Sequence, residues 1–244
     1  GRQGRRVVRV RIENPFNIFL VAAMVMGAVR AIYGLPVSHD IRDERGAFVM
    51  EMRQVPDYWG EEVYARLAPS ELTPASLNGT SLAACERCGA PLDLGEYFEW
   101  DLEKGLLAEK AGGERMVFPG LYLLNSLMRE FDAELGGATS EVFMEAERRL
   151  FKRKLARSRQ GRLVCVEPCE EEALANHLAL RGLGYLRDLK RLGGSWEIRV
   201  ENAFVAPLLA GRLVALWEHQ FEREAAHEHS ITGNTLTLSI RPAP

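Results

Sequence analysis

Arg11-Ile-Glu-Asn-Pro-Phe16 and Arg199-Val-Glu-Asn-Ala-Phe204 are near copies of one another in one chain. Reading outward from them decides the fold. Without a gap, the register pairs Leu20 with Leu208, Ala22 with Ala210, His39 with His227 and Arg53 with Arg241. Phe48, Met50 and Met52 meet Leu236, Leu238 and Ile240. A register kept over so long a stretch points to an internal repeat.

Each copy reads as strand, helix, strand. Val8, Val10 and Ile12 alternate with Arg9, Arg11 and Glu13, and Trp196, Ile198 and Val200 alternate likewise up to Glu201, the period of half-buried strands. Asn14 and Asn202 are expected as helix N-caps, with Pro15 suited to a first turn. The helices are expected over Pro15 to Tyr33 and Ala203 to Glu224. The first is apolar nearly all round, with Arg30 its one charge, and is expected to be buried on several sides. Closing strands follow the turns Arg45-Gly46 and Gly233-Asn234, over Ala47 to Val55 and Thr235 to Arg241. The expected class is therefore α+β: an antiparallel sheet with packed helices and a partial duplication of a strand-helix-strand unit.

The second copy has a structured segment before it. Glu96 to Leu102 and Leu106 to Glu109 read as a hairpin, and Glu114 to Phe118 as a short strand. Pro119 to Leu135 reads as a helix, as does Thr139 to Arg157, with Val142, Phe143, Ala146 and Leu150 expected inward. A strand over Arg162 to Val166, a helix over Glu170 to Leu180 and a hairpin over Gly193-Gly194 complete it. Three parts are expected: residues 1–55 as the strand-helix-strand unit, 56–84 as a Pro-rich linker with a short helix near Glu61 to Leu67, and 85–244 as the main domain. The first copy reads as the tail of an equivalent domain.

The 244 residues are 47% hydrophobic with a net charge of −3. That balance gives no electrostatic reason to expect nucleic acid as a partner, and the arginines from Arg2 to Arg11 read as an exposed strand face. The longest apolar run, Ile18 to Val29, is shorter than the roughly 20 residues a membrane span needs. No signal-peptide pattern is read, and a cytoplasmic setting is expected.

The four cysteines form two pairs, Cys85-Glu-Arg-Cys88-Gly and Cys165-Val-Glu-Pro-Cys169. The first has the form of a metal knuckle, and four thiolates suit a closed, tetrahedral, structural zinc site. Cys85, Cys88, Cys165 and Cys169 are the expected ligands, with His177 near enough in sequence to replace one. The alternatives are a redox pair at Cys85/Cys88 with Cys165 as a core thiol, or an iron–sulfur cluster. His227-Glu-His229 reads as a solvated loop, and the match of His39 to His227 as a shared turn. Nucleophile-elbow, phosphate-loop and zinc-protease motifs are absent. Tyr122, Met128, Phe204, Leu208 and Trp217 mark two helices as core or as the lining of an apolar pocket.

Gly113-Glu-Arg-Met-Val-Phe118, the Gly193-Gly194 turn and Arg199-Val-Glu-Asn-Ala-Phe204 with the helix after it together resemble the vinyl-reductase-type small-ligand domain. That family is related to the sensor domains of aromatic-responsive transcription activators and to TRAPP transport-complex subunits. The resemblance spans about Tyr97 to Arg241. It implies an antiparallel sheet with helices packed on it, a homodimer, and a pocket for a small hydrophobic or aromatic ligand. Family members carry cysteines on the last helix and near the C-terminal strand, where this chain has Ala206, Pro207 and the His227 to Asn234 segment. The expected function is a non-catalytic binding or sensing module with a structural zinc. The alternatives are an enzyme or accessory protein acting on a tetrapyrrole or aromatic compound, with Arg199, Glu201 and Asn202 as its nearest polar residues, and a structural dimerisation module.

Overall fold

The alternation around Val10 forms strand β1, Val7–Glu13, and the alternation around Ile198 forms β8, Ser195–Glu201. The computed structural model describes residues 7–34, 37–55, 73–76, 78–110, 112–157 and 171–244. The chain divides into two compact units. Unit 1 is Gly1–Arg66 with Trp100–Ala108 and Arg115–Val117; unit 2 is Leu67–Glu99, Glu109–Glu114 and Phe118–Pro244.

In unit 1, β1 leads to helix α1, Ile18–Tyr33, and then to β2, Val37–Glu44, and β3, Ala47–Gln54. The sheet order is β1-β3-β2, antiparallel, with Val8 opposite Met52, Val10 opposite Met50 and Ile12 opposite Phe48. Ala22, Met26 and Val29 of α1 are buried with Met50 and Met52 of β3, forming this unit's core.

Further along come a one-turn helix α2, Leu94–Tyr97, and the three-stranded sheet β4, Phe98–Asp101, β5, Leu106–Glu109, and β6, Arg115–Met116. Helices α3, Leu121–Leu135, α4, Ala138–Arg157, and α5, Glu171–Leu180, follow. Strand β7, Tyr185–Leu192, turns through Gly193 and Gly194, at φ 57 and 88, into β8. Such paired left-handed residues suit a tight two-residue hairpin, and glycine adopts them without steric cost. Helix α6, Ala206–Phe221, and strands β9, Ala225–Thr232, and β10, Thr235–Pro242, close the chain. The four-stranded sheet runs β7-β8-β10-β9, antiparallel throughout.

The mixed α+β class with antiparallel sheets agrees with the sequence reading. Each of the two similar segments, however, is strand-helix-strand-strand. Both unread strands, β2 and β9, are sheet edges whose residues are mostly exposed or half-buried, so the buried alternation that marks a strand in sequence is missing. His39 and His227 therefore lie in strands, opposite Met52 and Ile240, and not in a shared turn. One offset separates Val7 from Ser195, Ile18 from Ala206, Val37 from Ala225 and Ala47 from Thr235, the first residues of the four element pairs.

The asparagines do a different job from the one expected. Neither caps a helix. Asn14 and Asn202 have φ of 50 and 59, left-handed corners between strand and helix that asparagine tolerates better than most residues. Asn17 caps α1, its Oδ1 accepting from Leu20 N at 3.1 Å, and α6 starts after Val205 with no side-chain cap. The side chain of Asn202 instead holds a distant stretch of chain. Its Oδ1 accepts from Ala75 N at 2.7 Å and Ser76 N at 3.3 Å, and its Nδ2 donates to Ser76 O at 3.1 Å.

Unit 2 centres on α6, whose residues from Leu213 to Glu218 are all buried. Helix α4 crosses it closely at Gly211, where an added Cβ would lie 2.1 Å from Met144 O. This crossing turns Met144, Phe151 and Leu155 inward and leaves Val142, Ala146 and Leu150, expected inward, exposed, with Phe143 half-buried. The expected strand at Arg162 to Val166 and the short helix near Glu61 lie outside the described residues.

Candidate functional site

Three features in the described residues bear on function: the Cys85/Cys88 turn, the outer face of α1, and the two helices that carry or adjoin the aromatic candidates.

Cys85 and Cys88 stand on a tight turn closed by an Ala84–Pro91 bridge. Cys85 N donates to Ala90 O, and Gly89 N to Cys85 O, each at 2.8 Å. Gly89 has φ 71, which lets the chain reverse there. The backbone N–H of Arg87, then that of Cys88, and then the Cys88 thiol act on the Cys85 sulfur and hold its pKa below the ordinary thiol value. N–H groups aimed at a thiolate are what a metal knuckle requires, and two cysteines at this spacing could supply half of a four-thiolate zinc set. Cys165 and Cys169 lie outside the described residues. His177 is buried on α5, its ring 6.5 Å from that of Phe151. Among the described residues no group of three or more His, Cys, Asp or Glu is placed to hold a metal ion.

Helix α1 buries one face and exposes the other, against the expectation of burial on several sides. Phe19 is 77% exposed and Ile32 74%, with Phe16, Met24 and Tyr33 also exposed. A three-stranded sheet offers one flat surface to a helix, so an all-apolar helix keeps an apolar side in water unless another element covers it. The sequence signal was the helix's uniform apolarity; what it could not convey was that one side stays open. No helix among the described residues is long and apolar enough to cross a membrane.

The aromatic candidates differ in exposure. Tyr122 is exposed and Met128 half-buried on α3. Phe204 and Leu208 are half-buried at and near the start of α6. Trp217 is fully buried, its ring 4.8 Å from that of Phe221 and its Nε1 donating to Gly194 O at 3.0 Å, which is the packing of a core residue. Helices α3 and α6 both pack on α4. Two open clefts lie on α4: one of about 500 Å³ lined by Arg149, Lys152 and Arg153, another of about 380 Å³ lined by Glu141, Val142, Glu145, Ala146 and Arg149.

Charged clusters brace unit 2. Glu218, fully buried on α6, accepts from Arg148 Nη2 at 2.5 Å, Lys152 Nζ at 3.2 Å and Ala225 N at 3.0 Å. Glu109 accepts from Lys154 Nζ at 2.5 Å and Arg181 Nη2 at 2.6 Å. Burial would raise both carboxyls, but the bonds from these cations outweigh it, and both pKa values fall below the ordinary range. His227 and His229 point to one side of β9, their rings 6.5 Å apart, with Glu141 Oε1 3.9 Å from His229 Nε2. Burial first, and Arg148 next, lower the His227 pKa. This replaces the solvated loop expected there.

Arg199, Glu201 and Asn202 form no converging set: Arg199 and Glu201 sit along β8 with 4.0 Å between Nη2 and the carboxylate, and Asn202 is engaged by the 73–76 segment. Arg11 and Glu13 make their own pair at 2.8 Å in the other sheet. The sequence matches no protein-family model and no curated protein.

Proposed function

We propose that this chain is a non-catalytic module that binds a hydrophobic partner through the outer face of α1 and is braced by a structural zinc at the cysteine knuckle. The observation that carries the reading is the exposure of Phe19, Met24 and Ile32 on one helix. Large apolar side chains left in water on one helix are what a hydrophobic partner would cover. Unit 2 supplies the contrast. Gly211 and Arg212 of α6 are covered by α4, with Arg212 bonded to Glu147 at 2.6 Å. Ala23 and Met24, at the same offset on α1, are exposed. Zinc is supported by the Cys85/Cys88 turn, with Cys165 and Cys169 as the second pair by sequence.

The dye bis-ANS tests the binding face. The full chain is expected to enhance its fluorescence saturably, and Phe19→Asp to remove most of the enhancement; no enhancement by the unaltered chain contradicts the reading. Elemental analysis of chain purified without chelator is expected to give one zinc, and chelation or Cys88→Ala to lower stability sharply.

A small aromatic ligand is the second reading, favoured by the half-buried Phe204 and Leu208. A thermal shift with small aromatics that Leu208→Asp abolishes is its expected mark.

A further inference from the structure

The β1-β3-β2 and β7-β8-β10-β9 sheets differ at one edge. Strand β8 has β10 on one side and β7 on the other. Strand β1, at the same offset, pairs with β3 alone among the described residues. Its outer N–H and C=O groups form a template for another strand.

Charge indicates which strand fits. On the solvent side of β8, Lys190 of β7 lies opposite Glu197 and Asp188 opposite Arg199, an opposite-charge match at both positions. At the same offset β1 carries Arg9 and Arg11, both exposed. Like charges directly opposite one another destabilise a strand pair. A β7 from a second copy would place Lys190 against Arg9. Two copies of β1 in full antiparallel overlap would place Arg9 against Arg11. The fitting strand has an acidic residue opposite each arginine, with apolar residues between to continue the face of Val8, Val10 and Ile12.

We propose that the open edge of β1 takes an acidic, alternately apolar strand of a different protein chain by antiparallel β-augmentation. This rests on the reading of the chain as a binding module and adds the chemistry of its partner.

Two synthetic peptides test it on the full chain: the β7 sequence Tyr185–Leu192, and the same peptide with Lys190→Glu. The Lys190→Glu peptide is expected to bind about fivefold tighter or more, the effect of turning one repelling cross-strand pair into an attracting one. It is expected to shift the amide resonances of Val7–Glu13 and leave those of β8 unmoved. In an Arg9→Glu chain the preference is expected to reverse. Equal binding of the two peptides, no movement of the β1 amides, or self-association through β1 seen by light scattering would each overturn the proposal. If bis-ANS still binds the α1 face in those cases, the inference fails alone; if the dye also fails to bind, the functional reading fails with it.

Discussion

Arg148 of α4 grips Glu218 of α6 with two nitrogens, Nη2 to Oε1 at 2.5 Å and Nε to Oε2 at 3.1 Å, and the carboxylate is fully buried. A two-pronged bond of this kind fixes the helix pair in orientation as well as distance. Removing one partner strands a buried charge, whereas removing both is far milder. Glu218→Ala is expected to cost about 3 kcal/mol, and the Arg148→Ala/Glu218→Ala double variant less than the sum of the single ones, in a denaturant-based double-mutant cycle. Additive losses would show that the pair is not coupled.

Two pH windows are expected in the stability of the chain. The folded His227 pKa is lowered by burial, so the folded state resists taking up a proton that the unfolded chain accepts. Its contribution is whole above the unfolded value of about 6.5 and declines as the pH falls from there toward the folded value. Glu109 and Glu218 have lowered folded values, so their contribution is whole above about 4.3 and is lost as the pH falls through the folded values. Denaturant midpoints measured from pH 8 to 3 should fall in two steps. His227→Phe should remove the upper step and Glu109→Gln should reduce the lower.

Gly211 is where the backbones of α4 and α6 come closest. A Cβ there would lie 2.1 Å from Met144 O and 3.0 Å from Arg148 N, both backbone atoms that cannot swing aside. Gly211→Ala raises intrinsic helix propensity, so local preference and packing act in opposite directions. Packing should dominate, with a loss of about 1–3 kcal/mol or more in urea unfolding. A neutral or stabilising result would mean that the two helices separate readily.

The two corner asparagines should respond differently. Asn202→Gly keeps the left-handed corner but gives up three bonds to Ala75 and Ser76, and a loss of about 1–3 kcal/mol is expected. Asn14→Gly, at the corresponding corner, should stay within about 0.5 kcal/mol of the parent chain. Equal losses at both positions would mean that the 73–76 segment contributes nothing to stability.

Much of this was legible in the sequence because buried alternation and turn glycines speak locally. Val8, Val10 and Ile12 marked β1, and Gly193-Gly194 marked the β7–β8 turn with its strands. The edge strands β2 and β9 carried no such mark, since their residues are mostly polar and exposed or half-buried, with no buried alternation to read. The asparagine corners were misread for a subtler reason. A residue suited to cap a helix is also suited to a left-handed turn, and only the backbone angle separates the two. On α4, the turn of the helix depended on Gly211 and Glu218 of a distant helix, so Val142 and Leu150 could not be placed from their own neighbourhood. For the cysteines, sequence spacing indicated the turn at Cys85 and Cys88 with its N–H groups toward sulfur, and the Ala84–Pro91 bridge that closes it is what the structure adds.

Thermal unfolding of the Phe19→Asp/Ile32→Asp chain tests most directly whether the α1 face is a binding surface and not a piece of the core. Both side chains are largely in water, so the midpoint is expected to stay within about 2 °C of the unaltered chain, as for substitutions that touch no packed group. A fall of about 10 °C or more, the size expected when charges are forced into a packed interior, would contradict the account.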